Sequence, residues 1–167
     1  QLRVDNLKID RSFIRDLGTS PLSLHIIRAI TDIAHTLDKR CIAEHTETAE
    51  QLHTALFNPT PALFGHVAEV DGQVVGIALW FLNFSTWDGV HGIYLEDLYV
   101  TPDQRGSGLG KKLLEALAQE CVAKGYTRLQ WWVLNWNEPS IGFYKSLGAI
   151  PMDEWTVMRV AEEALQK

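Results

Sequence analysis

Apolar and polar positions alternate along this chain with two different periods. Leu24 to Leu37 carries Leu24, Ile27, Ile30, Ile33, Ala34 and Leu37 at helical spacing, which predicts an amphipathic helix. Thr46 to Phe57 reads as a second helix, with Thr46 or Thr48 as its cap and Pro59 as its stop. Gly108 to Ala123 is a third. Leu109, Leu113, Leu114, Leu117 and Cys121 form its apolar face, and Gly125 follows as a C-terminal cap. The period changes elsewhere. Leu2 to Ile9 alternates loosely and reads as a strand, and Cys41-Ile42-Ala43 is a short apolar run with strand character. His66 to Val70 and Val74 to Phe84 are strands joined through Asp71-Gly72, a hairpin turn signal. Gly92 to Val100 is a further strand, and Arg128 to Leu134 a buried one rich in Trp and Val. Pro139 to Leu147 predicts a short helix ending at Gly148, Trp155 to Val160 a last strand, and Ala161 to Gln166 a helical turn.

Strands and helices mixed in this order predict one α/β domain with a mixed sheet, and 167 residues suit one domain better than two. Hydrophobic residues make up 46% and charged residues 22%, the balance of a soluble globular chain. The net charge is −6 and no basic stripe is visible, which argues against nucleic acid and favours a cationic partner. No apolar run reaches the length of a membrane span. Cys41 and Cys121 have no metal-ligand spacing and read as free thiols of a reducing, cytoplasmic setting. His45 and His53 could share a helix face, but the six histidines show no ligand pattern, so no metal is expected. The chain begins at Gln1 without Met, as a processed chain or a piece of a longer one would.

The chemistry concentrates in Asp103-Gln104-Arg105-Gly106-Ser107-Gly108-Leu109-Gly110-Lys111, between the strand ending at Val100 and the helix beginning near Gly108. Glycines let backbone N–H groups come close to a phosphate and tolerate positive φ. The helix start adds unpaired donors and a partial positive charge. Arg105 and Lys111 can add full charges. No acidic residue follows at the dinucleotide-fold position, and no Gly-Lys-Ser/Thr closes the turn as in a phosphate loop. The alternative is a plain strand-to-helix loop.

Gln104-Arg105-x-x-Gly108-x-Gly110 resembles the acetyl-CoA signature of the GNAT acetyltransferases. Tyr94-Leu95-Glu96-Asp97-Leu98-Tyr99-Val100 resembles the central strand of their diamine (spermidine/spermine) and thialysine branch. Asn135 to Tyr144 is similar to that branch's second cofactor segment. The resemblance spans about Leu52 to the end. It implies a GNAT fold over residues 53–167, acetyl-CoA as cosubstrate, a small cationic primary amine as acceptor, and a homodimer. It implies that Arg105, Gly106, Ser107, Gly108, Leu109, Gly110 and Lys111 hold the pyrophosphate, that backbone groups of Leu98, Tyr99 and Val100 meet the thioester and pantetheine, and that Asn137 and Ser140 touch the cofactor. Tyr144 matches the general acid for the thiolate, while Trp87, Asp97 and Trp155 match positions lining the amine site. Without the resemblance, Tyr144 reads as a core tyrosine on a helix face.

An alkylammonium has a pKa near 10.4 and must lose a proton before it can attack a thioester. Alternation along Gly92 to Val100 puts Tyr94, Glu96 and Leu98 on one face. Glu96 is then a candidate base acting through water and an attractor of the amine; its plainer reading is a solvated carboxylate. Trp131 and Trp132 should point to opposite faces of one strand, so at most one reaches the cofactor.

The opening does not follow the GNAT pattern. Leu7-Lys8-Ile9-Asp10-Arg11-Ser12-Phe13 and Ile42-Ala43-Glu44-His45-Thr46-Glu47-Thr48 resemble two motifs of EAL domains, which hydrolyse cyclic di-GMP on a TIM barrel. Lys8 and Glu44 match catalytic positions there. The namesake Glu-Ala-Leu and the paired aspartates are missing, so the two-metal site cannot form. The expectation is a chimera joined near residue 52, in which residues 1–52 supply a strand-helix-strand-helix to the same globule. The second functional expectation is a folded coenzyme A binder with little turnover, its acceptor wall replaced.

Overall fold

The computed structural model describes residues 5–8 and 46–166. They fall into two units divided between Trp132 and Val133. The expected helix at 24–37 and the run at 41–43, with Cys41, Glu44 and His45, lie outside the described residues.

The first unit is a five-stranded sheet in sequence order. Its strands are β1 (Asp5–Lys8), β2 (Phe64–Val70), β3 (Gln73–Ser85), β4 (Val90–Val100) and β5 (Leu129–Gln130). Neighbours run antiparallel except β4 and β5, which are parallel. Leu7 of β1 stands opposite Val67, so the first segment of the chain pairs with the sheet. Asp71, at φ 52, and Gly72 form the turn between β2 and β3, as the sequence predicts.

Helices cover both faces. On one face Val67, Ile77, Leu79 and Tyr99 form a buried core with Leu56 of α1 (Thr46–Phe57), joined by Leu52 and Phe57. The helix therefore runs through residue 52 without a break, and its apolar side is part of the sheet's own core. On the other face lies α2 (Leu109–Lys124), whose five buried residues are the five read from the sequence. Its Leu113 approaches Gly76 of β3, and Leu117 is fully buried. Gly125 closes the helix, its N–H donating to the Cys121 and Val122 carbonyls. Trp80 and His66 are buried on this same face, where the Trp80 indole N–H donates to His66 Nδ1 at 3.0 Å. Burial pushes the Cys121 thiol up, which leaves it an unreactive core group.

Two strand expectations need correction. The strand expected over 128–134 shortens to Leu129–Gln130, paired only with Ile93 and Tyr94. The physical reason is a bulge in β4 just beyond Tyr94, which bends that strand away from its neighbour. Trp131 and Trp132 are consequently not two faces of one strand. Residues 155–160 form no strand either; their alternation has no strand partner among the described residues, and an unpaired strand is not stable by itself.

The second unit contains α3 (Glu138–Ser146) and a 3₁₀ turn at Glu162–Gln166. Asn137 caps α3 by accepting from the Ser140 N–H at 3.3 Å, and Pro139 occupies the first turn, where no N–H is needed.

Candidate active site

The glycine turn is built outward from the end of β4. The Thr101 N–H donates to the Val75 carbonyl at 2.8 Å, which pins the exit of the strand. A 3₁₀ turn, Pro102–Gln104, follows. The Ser107 hydroxyl donates to the Gln104 carbonyl at 2.6 Å and shapes the bend. Gly106 and Gly108 then adopt φ 79 and 88, a conformation that side chains resist. A Cβ at either would meet no atom within 4 Å, so the turn lies open.

Gly108 is the N-cap of α2 and provides no side chain to accept its first N–H groups. The N–H groups of Leu109, Gly110 and Lys111 therefore have no helical acceptor and face the positive end of a 16-residue helix. That arrangement fits a pyrophosphate. Leu109 itself is buried, so it offers only its backbone. Arg105 is tied back, with Nε donating to the Val100 carbonyl at 3.0 Å and the guanidinium 5.6 Å from the Tyr99 ring centroid. Lys111 pairs with Glu115 one helical turn on, at 3.6 Å and in solvent.

In β4 the register shifts. Trp80 stands opposite Leu95 but Leu79 stands opposite Asp97, leaving Glu96 as the extra residue of a bulge. Cross-strand partners share a face. Tyr94, opposite Phe81, and Asp97, opposite Leu79, therefore lie together on the α1 face, while Leu98, opposite Ala78, lies on the α2 face. This corrects the expectation that Tyr94, Glu96 and Leu98 share a face. Glu96 is exposed. Asp97 is half-buried, and burial, with the charge of Glu96 added, holds its carboxyl above the usual carboxylate range.

Sequence reasoning missed an aromatic series on this face. Phe81 stacks on Tyr94 at 4.9 Å, and Tyr94 meets Trp132 edge-on at 5.7 Å. The adjacent carboxylates of Glu96-Asp97, which break the alternation of an apolar strand, were the available signal for the bulge.

Other expected residues stand apart. Trp87 is 95% exposed at the tip of the β3–β4 hairpin. Val90 and Glu96 lie six positions apart along β4, so that tip is about 20 Å from the carboxylates. Tyr144 lies on α3 of the second unit beside Phe143, and burial pushes its phenol up. Asn137 and Ser140 are engaged in capping α3, and Trp155 is exposed in the same unit.

Comparison with known proteins bears on this arrangement. The Acetyltransferase (GNAT) family matches residues 30–149. The chain belongs to the GNAT acetyltransferase family. Thialysine N-epsilon-acetyltransferase of Bos taurus is 35% identical over 155 residues, spanning 86% of this chain and 88% of that protein. Spermidine/spermine N(1)-acetyltransferase-like protein 1 of Homo sapiens is 29% identical over 160 residues, spanning 90% of this chain and 22% of that protein. Among solved structures, aminoglycoside N-acetyltransferase AAC(6')-Iy in complex with CoA superposes with a TM-score of 0.70 at 15% identity, covering 98% of this chain and 97% of that one. The fold is thus the GNAT fold, and acetyl-CoA is the cosubstrate. The GNAT match begins at residue 30, inside the stretch resembling EAL domains, and lends no support to a separate origin for residues 2–52.

Proposed function

We propose that this protein transfers the acetyl group of acetyl-CoA to a small primary amine of the polyamine or thialysine type. The observation that carries this reading is the Glu96-Asp97 pair at the β4 bulge, two carboxylates beside an aromatic face in an acidic chain. The named relatives support it. Bound acetyl-CoA supplies a thioester carbonyl: the N–C bond forms, the C–S bond breaks, the ammonium proton leaves to a base and the thiolate takes up a proton.

Each residue then has a role in this proposal. The N–H groups of Gly106 to Lys111, with Arg105, hold the pyrophosphate, and the backbone of Leu98 to Val100 runs along the pantetheine. Asp97 anchors the ammonium and accepts its proton, because a carboxyl held above its usual range is a stronger base. Glu96 assists through water. Tyr144 keeps its proton at neutral pH and returns one to the thiolate. Asn137 and Ser140 meet the cofactor, and Trp155 faces the amine. A homodimer, working in the cytoplasm, would let Trp87 reach the acceptor site of a second copy. Within the first unit, β1 from the opening segment pairs with β2 as an edge strand of the sheet.

The second reading is a coenzyme A binder with little turnover, motivated by the EAL-like motifs of the opening. Calorimetric titration with acetyl-CoA, followed by thiol release with spermidine, thialysine and a lysine peptide, separates the two. Binding with turnover supports the first reading. Binding without turnover supports the second, and no binding at millimolar acetyl-CoA refutes both.

A further inference from the structure

Val100 ends β4, and its two sides are not alike. The Thr101 N–H donates to the Val75 carbonyl at 2.8 Å, toward β3. That N–H and the Val100 carbonyl belong to one planar trans peptide and point in opposite directions. The carbonyl therefore faces away from β3, along the edge of β4 where pairing with β5 has stopped at Tyr94. Arg105 reaches back five residues to this edge. Its Nε donates to the Val100 carbonyl at 3.0 Å, and its guanidinium lies 5.6 Å from the ring centroid of Tyr99. Tyr99 is buried in the core that Leu56 of α1 joins. One side chain of the glycine turn thus holds both the last carbonyl of the strand edge and a ring of the core beneath it. The first contact is a charge-assisted hydrogen bond and the second a cation–π contact.

We propose that Arg105 is a positioning residue that locks the glycine turn to the open edge of β4, so that one cofactor molecule meets turn and strand in fixed register. This rests on the acetyltransferase reading and deepens it. Besides the charge that Arg105 lends the pyrophosphate, its Nε acts through the Val100 carbonyl on the strand that runs along the pantetheine. A loosened edge brings the thioester carbon less often within reach of the amine, so the lock acts on kcat as well as on affinity. A contact with phosphate alone acts on affinity only, and saturating acetyl-CoA hides it.

Three substitutions separate the hydrogen bond from the charge. Arg105→Gln puts an amide N–H where Nε stood and removes the charge. Arg105→Lys keeps the charge but puts a methylene there. Arg105→Met removes both. The position is exposed, so each variant should fold, with Tm within a few degrees of the native protein. The test measures kcat at saturating acetyl-CoA, with spermidine, thialysine and a lysine peptide as acceptors, and acetyl-CoA affinity by calorimetric titration. Arg105→Met and Arg105→Lys are expected to lower kcat by about fivefold, the worth of one hydrogen bond. Arg105→Gln should restore kcat to within about twofold of native while still binding acetyl-CoA more weakly. Native kcat in Arg105→Lys or Arg105→Met, or a fall in Arg105→Gln as large as in Arg105→Met, overturns the lock and leaves the acetyltransferase reading standing. Native protein that acetylates none of the three acceptors refutes that reading and the lock with it.

Discussion

Tyr94 and Asp97 share a face of β4, although an uninterrupted strand would turn them to opposite faces. The extra residue between them, Glu96, makes the difference. The bulge carries a carboxylate onto the same face of β4 as Tyr94, and the pairing of β4 with β5 stops at Tyr94, just before it. One irregularity thus shapes the acceptor side of the proposed chemistry.

Asp97→Asn should separate activity from stability. Loss of the proton acceptor lowers kcat/KM by about 100-fold. The same change should raise Tm at neutral pH. A carboxyl held above its usual range in the folded state makes its ionised form costly, and the cost is full above the folded pKa. Below the ordinary Asp pKa both states are protonated and no cost remains. The gain should therefore be a few degrees near pH 7, where about 1 kcal/mol moves Tm by ~2–4 °C, and should vanish on acidification. Scanning calorimetry across pH reads it.

Gly92→Ala should be strongly destabilising. A Cβ there would sit 2.5 Å from Arg128 Cγ, 2.8 Å from Asn83 Oδ1 and 3.0 Å from the Arg128 carbonyl. The last of these is backbone, and the Ile93 N–H donates to it at 3.0 Å. Overpacking of this kind costs about 1–3 kcal/mol. A drop in Tm of several degrees is expected, with a normal far-ultraviolet dichroism spectrum before melting.

Gly108→Ala tests the cofactor turn. No neighbour blocks the new Cβ, so the effect comes from the φ of 88 alone. Left-handed backbone costs an L residue about 1–2 kcal/mol. The turn should shift away from it, weakening acetyl-CoA by about tenfold in a calorimetric titration. Acceptor KM should change little, since the acceptor carboxylates lie on β4.

The helices were legible because their signals are local. The apolar spacing of α2 lies within its own residues, and Gly125 marks its end. The Asp71-Gly72 hairpin and the cap of α3 at Asn137 are equally local. The glycine turn was legible for the same reason. What could not be read depends on neighbours. Trp131 to Leu134 has strand composition, but a strand needs a partner, and β4 bends away at Glu96. Asp97 looked like one more lining residue because period-two alternation assumes no inserted residue. The Tyr94–Trp132 contact joins positions distant in the chain, with no shared motif to announce it.

Tyr144→Phe isolates the proton donor. The ring remains beside Phe143 while the hydroxyl is lost. Folding should be unaffected, and kcat should fall by about 100-fold if the phenol protonates the thiolate. Acetyl-CoA affinity should be within a factor of about two, measured by the same titration.

The most direct measurement is transfer of the label itself. The protein is incubated with acetyl-CoA carrying an isotopically labelled acetyl group and with spermidine, and the amine is examined by mass spectrometry. Labelled acetyl on an amine nitrogen, with one free thiol released for each acetyl transferred and loss of transfer in Asp97→Asn, is the expected result. Thiol release without acetylated amine, or no consumption of acetyl-CoA at all, would contradict the assignment.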